Sequence, residues 1–497
     1  MTTPDPWSAR PSVRALANSP VPLAARAVVL AFLTLVPFRI LAQGYVPGDD
    51  VLRHVATAVS IHPWSEVLVL RPGVLMDSHP GWHVFLGLVH RVTGAGTHSL
   101  LLLSIVVCYL ALILPAVLLM RRPEAWALAL LAFSTLDDAI PSRFASGRPF
   151  VLSMGAVVVL CLLVARPEFV RRGWRATSIL GVVLGVVIWM HPSWHLFLLP
   201  VGVCLLARRW RAAGELLGGL MLGLLVAGIL YGNPARFVYQ SVLHTVLALG
   251  SPSLPGTLVR EFLPGGGSGP VVLGVLLLLL WRRARGAWSS AVVDNPVFLL
   301  AATGWMLGWV IVRFWQDWGV PALLVWVAIE LEVALERQMR ADAARRLIVA
   351  GVAGLGALLV LTANTRGQRF SPVDRPYLSL TQAAGTAVPD PGGILYTDDM
   401  RLFYDLFYSR PDAPWRYIVG YEPALMPPDD LATFRKVLAA RTPGNFAPWV
   451  RKMRPQDRLI LQSTQGQPQI EGLEWTQVSS TIWSGRRPLA PPLPRTP

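Results

Sequence analysis

The sequence predicts a polytopic α-helical membrane protein with a small α/β domain after its last span. Of its 497 residues, 53% are hydrophobic and only 15% are charged, and the mean hydropathy is +0.49. Soluble domains carry about 25% charged residues, so this composition excludes an ordinary soluble enzyme and a disordered protein. The apolar residues stand in long blocks with arginines clustered between alternate blocks, as expected for a chain that crosses a membrane repeatedly.

Eleven hydrophobic blocks are predicted to be membrane spans. Several are shorter than the ~20 residues that a perpendicular helix needs, and blocks 124–136, 194–207 and 270–281 also fit partly re-entrant helices. The first block lacks a clear small-residue cleavage site and is interpreted as a retained signal anchor. The blocks cover 21–43, 99–120, 124–136, 149–165, 177–190, 194–207, 213–231, 270–281, 296–312, 319–336 and 346–363.

The arginines predict the orientation, because loops on the inner side are enriched in Lys and Arg. With the N-terminus inside, the inner segments hold 19 of the 28 basic residues before position 365 and the outer segments hold 9. The +15 net charge is therefore a topology signal that needs no nucleic acid as partner. Only two basic residues are lysines, Lys436 and Lys452, which is typical of a GC-rich bacterial genome and indicates the bacterial cytoplasmic (inner) membrane.

The predicted domains follow from this topology. Residues 1–20 form a cytoplasmic tail, 21–364 form the membrane domain, and 365–485 form an extracytoplasmic α/β domain. In that domain, short β-like runs at 393–397 and 458–461 alternate with a helix around 429–441. Residues 486–497 are predicted to be a disordered, Pro-rich tail.

The outer side collects the reactive residues. All nine histidines lie there, six of them in a first outer loop, residues 44–98, whose length is typical of functional loops. The loop begins with Asp49 and Asp50, and a helix from Asp50 with Val51, Val55 and Val59 on one face is predicted to lie along the membrane surface. One aspartate would cap this helix, which leaves the other for function. Histidine also suits membrane interfaces, the structural alternative for the histidines.

A second group lies further along the same loop. Asp77, His79 and His83 include two histidines four residues apart and are weak candidates for a metal site. The three cysteines, Cys108, Cys161 and Cys204, lie within apolar blocks, so a disulfide framework is not expected.

Three of the nine predicted outer arginines stand close to aspartates, on the side of the membrane where basic residues are fewer. Arg143 and Arg148 follow Asp137-Asp138, and Arg313 precedes Asp317 in a tight turn. Arginine binds phosphate bidentately, so each is a candidate for a lipid phosphate. The structural alternative is a pairing with the neighbouring aspartates, and the sequence does not decide between the two.

Three stretches resemble the GT-C superfamily of membrane glycosyltransferases, in the branch of protein O-mannosyltransferases and lipid A aminoarabinose transferases. They are the Gly48-Asp49-Asp50 step, the stretch from His79-Pro80-Gly81-Trp82 to Gly94, and the stretch from Arg143 to Arg166. Together they cover roughly the first 170 residues. The family often has Asp-Glu and Pro-Pro where this chain has Asp49-Asp50 and Pro80-Gly81, so the sugar and the acceptor stay open.

The resemblance implies a hexosyl- or pentosyltransferase that moves a sugar from a polyprenyl-phosphate donor to a glycan, lipid or protein acceptor on the outer face of the membrane. It implies inversion with Asp49 as general base, Asp50 as its orienting or capping neighbour, and no required cofactor, although a divalent metal is compatible. The phosphate candidates are Arg53, His54, Asp77, His79, Arg143, Arg148 and Arg313.

Two other functions compete with this one. A transporter or flippase for a lipid-linked or anionic substrate is the main alternative, but transporters place charges within their spans, and the central blocks are nearly free of them. An assembly scaffold or sensor that uses the outer domain is a third reading, which leaves Asp49, Asp50 and the outer arginines unexplained.

Overall fold

The structure is a computed structural model. It describes residues 20–45, 47–73, 77–137, 139–166, 173–249, 263–265, 269–284, 295–339, 342–363, 377, 380 and 387–488.

The N-terminal three quarters of the described chain are helical. A 3₁₀ turn, Trp194–Phe197, leads into α10, and a short helix, Val312–Phe314, with a π-helical turn, Trp315–Gly319, leads into α15. The helices of this region are α1 (Pro20–Ala42), α2 (Val51–Val59), α3 (Trp64–Val67), α4 (Pro80–Thr93), α5 (Thr97–Leu119), α6 (Pro123–Leu136), α7 (Ala139–Phe144), α8 (Phe150–Val164), α9 (Trp174–Met190), α10 (Leu198–Leu206), α11 (Trp210–Leu230), α12 (Pro234–Leu249), α13 (Gly269–Ala284), α14 (Pro296–Gly308), α15 (Val320–Gln338) and α16 (Ala343–Leu361).

Five helices in the described residues are long and apolar enough to cross a membrane, so the chain is a multi-pass membrane protein. Each of the eleven predicted spans coincides with a helix, but several of those helices are short. The number of spans and the orientation therefore stay predictions. The five helices are Val21–Ala42, Thr97–Leu119, Trp210–Leu230, Val312–Gln338 and Ala343–Leu361.

Glycines let the apolar helices approach one another closely. Along α9 and α11, Gly223 faces both Gly181 and Gly185, and a Cβ on Gly223 would lie 3.0 Å from the backbone nitrogen of Gly185. Small residues of this kind bring helix backbones into contact, which is how helices associate in an apolar solvent.

Arginines predicted to lie inside are paired with carboxylates. Glu124 on α6 is fully buried and accepts a hydrogen bond from Arg346 Nε on α16 at 2.9 Å. Glu332 Oε1 on α15 accepts from the backbone N–H groups of Arg121 and Arg122 at 2.7 and 2.8 Å. These contacts join three helices at one end of the bundle, so the arginines have a structural role beside their topological one.

The C-terminal region forms a five-stranded sheet in the order β2-β1-β3-β5-β4. Strand β1 is parallel to β2 and β3, with Leu395 opposite Tyr417 and Arg458, whereas β5 is antiparallel to β3 and β4. Its elements are β1 (Ile394–Tyr396), α17 (Met400–Ser409), β2 (Arg416–Tyr417), α18 (Pro428–Ala439), α19 (Pro443–Lys452), β3 (Arg458–Gln462), β4 (Glu474–Gln477) and β5 (Ile482–Arg486).

Helices cover both faces of this sheet. Because side chains alternate along a strand, Ile460 packs in the same core as Leu406 of α17, while Leu459 and Leu461 pack in a second core with Trp449 of α19. The predicted strands at 393–397 and 458–461 and the predicted helix around 429–441 are thus confirmed. Most of the predicted tail, residues 489–497, lies outside the described residues.

The first outer loop joins the edge of this sheet. Leu68 pairs in parallel with Tyr417 of β2, and the Val69 N–H donates to the Tyr417 carbonyl at 3.0 Å. Two residues on, the Arg71 N–H donates to the Leu425 carbonyl at 2.7 Å. The sheet and the loop with the aspartates are therefore connected by backbone hydrogen bonds.

Helix α2 forms where the sequence predicts it, but its apolar face lies against other helices of the protein, and its position along the membrane surface stays a prediction. Val51, Leu52, Val55 and Ala56 are fully buried, because α2 packs against α4, α5 and α17. An amphipathic pattern marks one buried face and cannot show that other elements cover the opposite face.

Candidate active site

Asp49 and Asp50 stand at the start of α2 and have different surroundings. Asp49 Oδ1 accepts a hydrogen bond from the Val51 N–H at 3.3 Å. Asp50 occupies the N-cap position, but its side chain makes no capping hydrogen bond. The expected contact with the helix N-terminus is thus made by Asp49 Oδ1, which leaves Asp49 Oδ2 to face Arg148, and Asp50 is directed elsewhere. The capping contact therefore does not separate a structural aspartate from a functional one.

Asp50 is surrounded by cationic and imidazole groups. Arg53 donates to both of its oxygens, with Nη2 at 3.2 Å from Oδ2, and His54 Nε2 lies 3.3 Å from Oδ2. Arg148 Nη2 lies 3.7 Å away. Burial alone would raise the pKa of Asp50, but the charges of Arg53 and its neighbours hold this pKa well below its usual value. Asp50 is therefore a firmly held anion.

Asp49 is the accessible member of the pair. Its side chain is 48% exposed against 15% for Asp50, and Arg148 Nη1 lies 3.7 Å from its Oδ2. One guanidinium thus spans both carboxylates.

Arg143 and Arg148 lie on the same aromatic ring. Their guanidinium carbons are 3.9 and 5.0 Å from the centroid of Phe150, within cation–π distance. Asp49, Arg148 and Arg143 are therefore brought to one place, although their roles stay predictions.

Asp317 contacts two of the predicted phosphate ligands. Arg143 donates to it from Nε at 2.9 Å and from Nη2 at 2.7 Å, and Arg313 Nε lies 3.5 Å away. Asp317 lies in the π-helical turn before α15, and such turns are frequent at functional sites. The structural alternative holds for Arg313, and Arg143 has in Asp317 a partner that the sequence did not suggest. Asp138 lies outside the described residues.

A chain of buried side chains connects Asp50 with Asp77. His83 Nδ1 is hydrogen-bonded to Asp77 Oδ2, and His83 Nε2 lies 2.8 Å from His54 Nδ1. His54 Nε2 in turn faces Asp50. Burial, reinforced by the charge of Arg53, lowers the pKa of His54 to about 3, so His54 is neutral at physiological pH.

His79 belongs to the same group of side chains. Its Nδ1 lies 2.8 Å from Ser78 Oγ and 3.4 Å from Arg53 Nη2, and its ring stacks on His191 at 5.4 Å. Burial and the neighbouring groups hold the pKa of His79 well below its usual value. The sequence did not associate His191 with this loop.

The predicted metal candidates are engaged with other side chains. Both ring nitrogens of His83 have partners, Asp77 and His54, and His79 contacts Ser78 and Arg53. Throughout the described part of the chain, no three His, Cys, Asp or Glu residues are placed to hold a metal ion. A metal here would have to replace these hydrogen bonds.

Three other outer histidines contact residues outside this group. His62 pairs with Glu66 at 2.8 Å, His90 with the Ala95 carbonyl at 2.8 Å, and His98 with the Tyr408 hydroxyl at 3.4 Å. The clustering of histidines on the predicted outer side therefore locates the candidate site only in part, because some of these histidines have other partners.

Sequence reasoning missed the contribution of the C-terminal region. The guanidinium of Arg53 lies 3.9 Å from the ring centroid of Tyr421, and the ring of Trp64 packs against Tyr421 with the two centroids 5.0 Å apart. Tyr421 follows β2 in a stretch to which the sequence assigned no chemistry. No spacing pattern connects positions 53 and 421, since their proximity arises from the docking of the sheet on the loop.

No family model and no curated protein matches the chain. Among solved structures, the fold is similar to the crystal structure of the Archaeoglobus fulgidus oligosaccharyltransferase in complex with Zn and sulfate. The sequences are 11% identical, the TM-score is 0.43, and the likeness covers 89% of this chain and 68% of that chain. The function of this chain is inferred from its own residues.

Proposed function

We propose that the protein is an integral membrane glycosyltransferase that moves a sugar from a polyprenyl-phosphate donor to an acceptor hydroxyl on the outer face of a bacterial cytoplasmic membrane, with inversion. The observation that carries the proposal is the unequal pair of aspartates. Asp49 is half exposed beside Arg148, while Asp50 is held by Arg53, His54 and Arg148. The accessible carboxylate of Asp49 is suited to act as a general base. The guanidinium of Arg148 beside it is suited to bind a phosphate.

In this reaction Asp49 acts as general base. Its carboxylate takes the proton of the acceptor hydroxyl as the hydroxyl oxygen attacks the anomeric carbon. The bond from that carbon to the phosphate oxygen breaks, and the phosphate keeps the bonding electrons. Attack opposite the leaving phosphate inverts the anomeric centre.

Asp50 is suited to a different task. A carboxylate whose pKa is held well below its usual value is a weak base, so it does not compete with Asp49 for the proton. Its contacts to Arg53 and Arg148 instead orient two guanidinium groups at the reacting centre, which agrees with the orienting role that the resemblance implies.

Arg53 and Arg148 are the best candidates to bind the leaving phosphate. Arg53 is 2% exposed, and its Nη1 is buried without a hydrogen-bond partner among the described residues. A buried donor left without a partner costs about 1–3 kcal/mol, so a phosphate oxygen at this position would be favoured. Arg143 and Arg313 share Asp317, and we place them, with His54, Asp77 and His79, around the site rather than on the phosphate.

The test is incubation of the purified protein in detergent with a panel of radiolabelled polyprenyl-phosphate sugars and candidate acceptors. We expect consumption of one donor and a product of inverted anomeric configuration. A retained configuration would contradict Asp49 as base. In vesicles, movement of the donor between leaflets without consumption would favour the flippase alternative.

A further inference from the structure

We propose that Tyr421, from the C-terminal region, is a positioning residue of the transfer reaction, which holds Arg53 and through it Asp50 in place. This inference rests on the proposed glycosyltransferase function and adds a role for the C-terminal sheet. The predicted α/β domain would then be part of the reaction centre.

The first support is the packing of Arg53. The central carbon of its guanidinium lies over the Tyr421 ring, 3.9 Å from the ring centroid. The same guanidinium donates to both oxygens of Asp50. A cation–π contact with a guanidinium that is withdrawn from water is stabilising. The ring therefore fixes the direction in which Arg53 presents its donors.

The second support is the way the Tyr421 ring is held. Trp64 packs on it at 5.0 Å and on Phe407 of α17 at 5.8 Å. The Tyr421 ring thus contacts both a tryptophan of the first outer loop and the guanidinium of Arg53.

The third support is the backbone on each side of Tyr421. Tyr417 and Leu425 accept hydrogen bonds from Val69 and Arg71 at 3.0 and 2.7 Å, so the segment between them is fastened at both ends to the loop that carries Arg53. Gly420 lies so close to this loop that a Cβ would be 2.7 Å from Leu68 Cδ1. The segment is therefore a fixed arm that places one aromatic ring beneath Arg53.

The experiment compares Tyr421→Leu and Tyr421→Phe with the wild type in the donor assay. Leucine removes the aromatic face, so we expect kcat to fall roughly tenfold to hundredfold, as for a small misplacement of reacting groups, with the KM for the donor within about twofold. Phenylalanine keeps the face, and we expect it to recover kcat to within about threefold. Tyr396→Leu is the matched control, because Tyr396 is also a tyrosine of the C-terminal region but packs on Trp449 in the second core; its kcat should be unchanged.

The outcomes separate this inference from the proposed function. If the wild type transfers no sugar, the proposed function fails. If the wild type transfers sugar, any one of three results would show that Tyr421 has no positioning role. They are full kcat in Tyr421→Leu, equal impairment of Tyr421→Phe and Tyr421→Leu, and an equal loss of kcat in Tyr396→Leu. Should Tyr421→Leu not fold, Gly420→Ala replaces it, because an added methyl pushes the arm from Leu68 while the ring remains, and the same loss of kcat is expected.

Discussion

Arg148 Nη1 lies 3.7 Å from Asp49 Oδ2, although the two residues come from different predicted outer loops. The same guanidinium reaches Asp50 through Nη2. An arginine can contact two carboxylates at once because its donors form a rigid planar fork, whereas a lysine presents a single ammonium. This relationship distinguishes the site from a collection of surface charges.

The first prediction concerns this bridge. Arg148→Gln should lower kcat about 10²–10³-fold, the usual effect of losing one donor that stabilises a developing oxyanion. Arg148→Lys keeps the charge without the fork and should lie between Gln and the wild type. Initial rates of sugar transfer at saturating donor measure both.

Arg236→Gln is the control for Arg148. Arg236 is also a predicted outer arginine, but it is exposed on α12, so its loss should leave the transfer rate unchanged. Equal losses in the two variants would show that outer positive charge in general, and not the Arg148 bridge, supports the reaction.

The second prediction concerns stability. Asp317→Asn removes the carboxylate that Arg143 and Arg313 share. The side chains of Asp317 and Arg143 are both mostly buried. Removal of one partner of a buried ion pair typically costs about 3–5 kcal/mol, so the unfolding temperature in detergent should fall clearly.

Glu474→Gln is the comparison for Asp317→Asn. It breaks the pair with Arg486, in which both side chains are about half exposed, and exposed pairs contribute about 1 kcal/mol or less. Its unfolding temperature should stay near that of the wild type. An Asp317→Asn protein as stable as Glu474→Gln would contradict a structural role for Asp317.

The third prediction is a pH dependence from His54. Its pKa is lowered to about 3 in the folded protein against ~6.5 in an unfolded chain. Below pH ~6.5 the unfolded state binds a proton that the folded state does not, so stability is complete above that pH and is lost as the pH falls towards 3. His79 shifts in the same direction.

Thermal unfolding between pH 7 and pH 5 measures this dependence. For His54 alone the expected loss over that interval is about 2 kcal/mol, and His54→Gln should remove this part of the wild-type loss. If the variant loses as much stability as the wild type between these two pH values, His54 does not carry the effect.

The positions of the helices along the chain were largely predictable from the sequence. Apolar block length and the alternating arginine clusters depend on local composition, which the bilayer constrains strongly, and each predicted span coincides with a helix. The residues that pack around α2 were not predictable from the sequence, because they belong to α17 and to the loop after β2. Their positions depend on tertiary packing far along the chain.

The candidate site was predictable in its residues more than in its contacts. Asp49, Asp50, Arg53 and Arg148 come together as expected. Arg143, however, also contacts Asp317, a partner too far along the chain for the sequence to suggest it. The contact of Arg53 with Tyr421 gave no sequence signal at all.

The most direct test of the account is the rate of sugar transfer by Asp49→Asn, measured together with its affinity for the donor. Asparagine keeps the shape of the side chain but removes the base, so we expect the rate to fall at least about 10²-fold with the donor still bound. Asp429→Asn, an exposed aspartate in the first turn of α18, should transfer at the wild-type rate. Transfer by Asp49→Asn at the wild-type rate would contradict Asp49 as the general base and with it the central claim.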